Sequence, residues 1–143
     1  MITGQCLCGK ISYQITAQPL GAGNCHCGNC RRTSGAAFSS WAYFEKSKFA
    51  LNGQLTQYKS SDWAERGFCP QCGSQIICYD SRLPDCVAIT VGSLDNPNDI
   101  VPQIDAWTSS RLNWLHLSRE LPDFPEDPPM ELIEELIAKS YPE

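Results

Sequence analysis

Nine cysteines in 143 residues constrain this chain more than any other feature. They occupy positions 6, 8, 25, 27, 30, 69, 72, 78 and 86, and read as CLCG, CHCGNC, CPQCG and two singles. An odd count does not suit a disulfide framework. The opening MITGQCLCGK lacks the basic-then-apolar pattern of a secretory leader. The expectation is a cytoplasmic protein, where clustered thiols more often hold metal than pair with one another.

The spacings have physical reasons. In Cys-x-x-Cys-Gly a tight turn aims two sulfurs at one point, and the glycine supplies the backbone freedom that follows. CPQCG at 69–73 is a strong instance, with Pro70 stiffening the turn; CLCG at 6–9 is the weaker Cys-x-Cys form. Cys6, Cys8, Cys69 and Cys72 together make a closed tetrahedral zinc site. That division leaves Cys25, Cys27 and Cys30 as a second, three-ligand group with an open place. The pairs can also be shuffled on spacing alone. Cys78, Cys86, His26 or His116 can close the second site, although His26 is expected to turn away from its neighbours' metal. Cys78 and Cys86 read as small buried hydrophobes, and His116 as packing.

An open zinc on three thiolates carries one net negative charge and is a poor Lewis acid for water. Soft sulfur donors favour an incoming thiol as fourth ligand, held as the nucleophilic thiolate. The chemistry this implies is thiol addition to a carbonyl, or its reversal.

The remainder reads as mainly antiparallel β in one domain, residues 1–143. Ile11, Tyr13 and Ile15 alternate within KISYQITAQ, as in a strand with one buried face. FSSWAYFEK and KFALNG follow as strands, and Asn52–Gly53 predicts a hairpin into LTQYKSS. RGFCPQCGSQIICYD predicts two strands joined by the CPQCG turn, and CVAITVGSL another strand. Residues 101–128 are punctuated by proline and read as irregular. One helix is expected near the C-terminus, capped by Asp127, with Pro128 in its first turn and Met130, Ile133, Leu136 and Ile137 on one face. Apolar runs are far too short to span a membrane. A formal net charge of −5 argues against broad affinity for nucleic acid or anionic lipid, leaving Arg31–Arg32 as the one basic spot.

Three segments, GQCLCGKISYQI, NCHCGNCRRTSGAAFSSW and RGFCPQCGSQI, with DAWTSSRLNW and ELPDF after them, resemble the glutathione-dependent formaldehyde-activating enzymes along nearly the whole chain. The resemblance implies a β-tent of stacked antiparallel sheets, an architecture shared with centromere protein V and with an exchange-factor chaperone of small GTPases. It implies two zincs per chain, a structural one on Cys6, Cys8, Cys69 and Cys72 and a labile catalytic one on Cys25, Cys27 and Cys30. The implied activity is carbon–sulfur lyase chemistry, with a small thiol such as glutathione condensing with formaldehyde. Where members often carry His-Ile this chain has Asp105–Ala106, and Asp105 reads as a surface residue or a substitute acid/base.

Arg31, Arg32 and Ser34 are candidate substrate contacts, the arginines through a carboxylate of the ligand. Trp41, Trp107 and Trp114 read as core, and Trp63 is left unassigned. Arg111 suits a structural and a functional role equally. The competing function is a zinc-stabilised module that binds a protein partner and catalyses nothing. A third is a redox or metal-storage triad.

Overall fold

The computed structural model describes residues 1–117 and 122–140, the last five of these by backbone alone. Ten strands form two sheets. Strands β1 (Ile2–Gln5), β2 (Ser12–Ile15) and β5 (Phe49–Asn52) make a three-stranded antiparallel sheet in the order β1-β2-β5. The larger sheet has seven strands. These are β3 (Gly21–Cys25), β4 (Ser39–Glu45), β6 (Thr56–Lys59), β7 (Ala64–Phe68), β8 (Gln75–Asp80), β9 (Cys86–Thr90) and β10 (Ile104–Ala106), in the order β10-β3-β4-β9-β8-β7-β6. All its neighbours run antiparallel except β10, which lies parallel to β3. The expected mainly-β architecture of antiparallel sheets is the one observed.

Period-two alternation gives the large sheet two different faces. Register pairs Ala22 with Ala42, Phe44 with Val87, and Ile89 with both Ala42 and Ile77. Those side chains join Tyr13 and Ile15 of the small sheet in one buried cluster, so the core lies between the sheets. The Tyr13 ring packs 5.7 Å from that of Phe49. On the opposite face the same registers align Ala106, Cys25, Gly23, Trp41, Tyr43, Ala88, Cys78 and Arg66. This second face carries the site.

Four local readings are corrected. Asn52–Gly53 does not close a hairpin: β5 pairs with β2 and β6 with β7, so the chain crosses between sheets there. Gly53 has φ +98°, and a Cβ on it would stand 2.7 Å from the Lys10 carbonyl oxygen, so backbone approach rather than a two-residue turn selects glycine. A seven-residue helix, α1 (Gly28–Ser34), follows the CHC run. The proline-rich 101–128 stretch contains β10. The C-terminal helix α2 (Met130–Ser140) starts after Pro129, whose carbonyl accepts from the Leu132 and Ile133 amides. Asp127 does not cap it, being engaged by Trp107 and Arg82. The side chains of Leu136 and Ile137, and Glu120 and Leu121 of ELPDF, lie outside the described residues. Among the described residues no helix is long and apolar enough to cross a membrane.

Candidate functional site

Two hairpin turns, one from each sheet, bring four thiols together. The β1–β2 turn carries Cys6 and Cys8, and the β7–β8 turn carries Cys69 and Cys72. The turns are built alike. Gly9 donates to the Cys6 carbonyl at 3.0 Å and Gly73 to the Cys69 carbonyl at 2.9 Å, with φ +74° and +75°. The Leu7 amide reaches across to Ser74 Oγ at 3.1 Å and ties one turn to the other. Cys6 and Cys8 sulfurs are 3.5 Å apart, Cys8 and Cys69 3.8 Å, and all four lie within 4.8 Å of one another. Sulfurs 2.3 Å from a tetrahedral zinc stand about 3.8 Å apart, so this set fits that ion. The Ser74 hydroxyl and amide hold the Cys72 thiol down at about 5.

Cys25, Cys27 and Cys30 form a second group, with sulfurs within 4.8 Å of one another. Cys25 ends β3, Cys27 is the N-cap of α1, and Cys30 sits in its first turn. Cys27 Sγ accepts from the Cys30 amide at 3.3 Å, doing for this helix what a serine cap usually does. The neighbouring thiols of Cys25 and Cys30, aided by the amides of Cys30 and Asn29, pull the Cys27 thiol well below its ordinary range. The thiols of Cys27 and Cys30, together with burial, push Cys25 well above it. No fourth His, Cys, Asp or Glu joins the group among the described residues. Cys78 lines the same cleft, where burial pushes its thiol up to about 11.

The triad opens on a cleft of about 430 Å³ that also exposes Trp63, Arg66, Arg82 and Trp107. Arg66 is the residue the sequence reading missed. It is 6% exposed, donates to Ser60 Oγ at 2.9 Å and points a guanidinium nitrogen at Cys30 Sγ, 3.6 Å away. Burial works against its charge, but the sulfurs of Cys30, Cys78 and Cys27 outweigh that and hold its pKa above the ordinary value. At the rim, Arg82 bonds Asp80 and Asp127 and stacks 4.8 Å from the Trp63 ring centroid. Trp107 holds φ +58°, a conformation costly for an aromatic residue, and donates Nε1–H to Asp127 at 2.8 Å.

Behind the triad lies a polar network. Asp105 is 1% exposed, which corrects its reading as a surface residue. One of its oxygens lies 3.0 Å from Asn24 Nδ2 and 3.1 Å from His26 Nε2, and the other accepts from Arg111 at 3.1 Å. His26, fully buried, is thereby turned from the sulfurs that flank it. Arg111 also pairs with Asp123.

The other sequence candidates are placed as follows. Arg31 donates to the His26 and Ser110 carbonyls, binding α1 to the 108–110 segment. Arg32 is exposed on α1. Ser34 Oγ donates to the Cys30 carbonyl at 2.7 Å, bracing the helix end. None of the three lines the cleft. Trp41 is buried, but Trp114 is 68% exposed and His116 is exposed, so neither of the latter fills core. Cys78 and Cys86 are half-buried.

A family profile of the glutathione-dependent formaldehyde-activating enzymes matches residues 1–110. A Schizosaccharomyces pombe protein described as an uncharacterized lyase is 32% identical over 73 residues, 51% of this chain and 53% of its own length. The chain thus spans about half of that relative. A Halomonas elongata protein, provisionally described as a glutathione-dependent formaldehyde-activating enzyme, is 22% identical over 84% of this chain and 83% of its own. The crystal structure of a Rhodobacter sphaeroides protein superposes with a TM-score of 0.56 at 20% identity, covering 85% of this chain and 99% of that one, a likeness of fold.

Proposed function

The chain belongs to the family of glutathione-dependent formaldehyde-activating enzymes, and from that membership we propose that it is a carbon–sulfur lyase making or breaking the adduct of a small glutathione-like thiol and a small aldehyde at Cys25, Cys27 and Cys30. The observation that carries the reading is three convergent thiols whose remaining side faces a cleft large enough for a tripeptide-sized thiol. The four-cysteine set would hold a structural zinc and the triad a second one. When bound at the triad, zinc offers an open place that keeps an incoming thiol in its nucleophilic thiolate form.

The chain's own groups then have defined tasks. The Cys30 and Asn29 amides at the start of α1 stabilise negative charge on Cys27. Arg66 supplies a fixed cation beside Cys30, so the surplus negative charge of the site is balanced without a mobile counter-ion. Trp63 and Trp107 wall the cleft and limit water at the reacting carbon. Arg82, already neutralised by Asp80 and Asp127, fixes the shape of the rim. In the forward direction the thiol sulfur bonds to the carbonyl carbon, the C=O π bond opens onto oxygen, and the oxygen takes up one proton for the one the thiol released.

The test is zinc per chain by mass spectrometry on anaerobically purified wild type and Cys27→Ser, with and without glutathione, beside adduct turnover measured on both. Two zincs in wild type, one in the variant, and turnover in wild type alone are expected. Two zincs in both proteins would break the assignment of the triad.

A further inference from the structure

A second space opens off the triad on the site face of the large sheet. It encloses about 110 Å³ between the β10–β3–β4 edge and α2. Most of its wall is apolar, formed by Leu20, Tyr43, Ile104, Ala106, Met130 and Ile133. Before Cys25, β3 contributes no side chain to the floor, because it reads GAGNC and register places Gly21 and Gly23 on this face beside Tyr43 and Trp41; Ile104 packs across Gly23, where a Cβ would stand 2.8 Å from its Cγ1. The edge strand adds the Ile104 side chain and the methyl of Ala106, the latter in register with Cys25. Met130 and Ile133 of α2 form the roof.

This chamber and the cleft share Cys25, Trp41 and Tyr43, so one wall residue is a member of the triad itself. Asp80, Arg82 and Asp127 line both spaces, with Arg82 bridging the two carboxylates. Formaldehyde has no carbon substituent and would leave the chamber unused. A reacting carbon beside Cys25 that carries a short alkyl chain could bury that chain there.

We infer that the aldehyde handled at this site is a short-chain alkyl aldehyde, of about three to five carbons, whose tail occupies the chamber. The inference rests on the lyase reading above and narrows its substrate class. The reaction is R–CHO plus R′–SH giving R–CH(OH)–S–R′: the C–S bond forms, the carbonyl π bond breaks, and the thiol proton is replaced on the new hydroxyl. No oxidant or reductant is needed. Each methylene leaving water favours the longer substrate by roughly fourfold.

The experiment measures kcat/KM for formaldehyde, propanal, butanal and hexanal with glutathione on the zinc-replete protein, each divided by the uncatalysed addition rate. The normalised acceleration should climb at least tenfold from formaldehyde to butanal. Ala106→Leu, which fills the chamber, should erase that climb, and Ile133→Ala, which raises the roof, should move the optimum to a longer chain. The unreactive 1-butanol should compete with butanal and perturb tryptophan fluorescence through Trp41, an effect lost in Ala106→Leu. A flat or falling series overturns this inference while leaving the lyase reading intact. A chain-length gain seen with alkanethiols and formaldehyde instead assigns the chamber to the thiol and overturns it too. Acceleration of no aldehyde overturns both readings.

Discussion

A guanidinium nitrogen of Arg66 lies 3.6 Å from Cys30 Sγ, on a side chain only 6% exposed and held by Ser60 and Thr33. A zinc held on three thiolates would leave the triad with one net negative charge spread over Cys25, Cys27 and Cys30. A fixed cation at this distance favours the loaded state by about 1–3 kcal/mol at an intermediate dielectric. Arg66→Met should therefore weaken the second zinc at least tenfold in chelator competition at neutral pH. Arg66→Lys should fall between, because it keeps the charge and loses the fork that fixes it. Equal affinity in all three proteins would remove the role given to this cation.

Asp105 satisfies Asn24, His26 and Arg111 at once from a buried position. Asp105→Ala strands all three partners and should lower stability by about 3 kcal/mol in urea unfolding. Asp105→Asn keeps part of the bonding and should cost less. A loss under 1 kcal/mol for the alanine variant would mean that the network relaxes onto water.

Tyr13 is 1% exposed and bonded to Ser93 at 2.7 Å, and burial pushes its phenol up to about 12 from an ordinary 10. The unfolded chain thus loses this proton first as pH rises. The contribution is complete below pH 10 and lost progressively between 10 and 12, roughly 3 kcal/mol in all. Tyr13→Phe should be about 1 kcal/mol less stable at pH 7 yet show a flatter decline above pH 10. Parallel curves for the two proteins would assign the alkaline loss to other groups.

The two thiol clusters should differ in what they support. The four-cysteine set joins turns from both sheets, so Cys69→Ser should cost several kcal/mol and lower Tm by roughly 15 °C. Cys27→Ser keeps a capping side chain at the start of a seven-residue helix and should cost less than about 1 kcal/mol. Calorimetry of the two variants in zinc-containing buffer separates them; equal losses would contradict the division.

What the sequence made legible was local. The turns at Cys6–Gly9 and Cys69–Gly73 are written in adjacent residues, and Tyr13 and Ile15 mark their buried face by alternation. What stayed hidden depends on register between distant strands. Arg66 faces Cys30 only because β7 pairs with β8, and β8 with β9, in one alignment. Asp105 looked like a surface residue because its partners, Asn24 and His26, stand about eighty positions earlier. Asn52–Gly53 misled because the signal that closes a hairpin also serves a chain passing close to another backbone. The helix α1 is too short to show an apolar period, and its cap is a cysteine whose spacing to Cys25 and Cys30 reads first as that of a metal ligand.

The joining of two hairpin turns has a kinetic consequence. Cys8 and Cys69 touch across 61 positions of sequence, and a contact of that span is slow to find by diffusion of an open chain. An ion captured by either turn gives the other a target, and the sheets can then zip from a tethered start. Refolding speed should depend on zinc even where final stability is matched by added osmolyte, and the metal would serve the nascent chain as an early guide before it serves the finished fold as a cross-link.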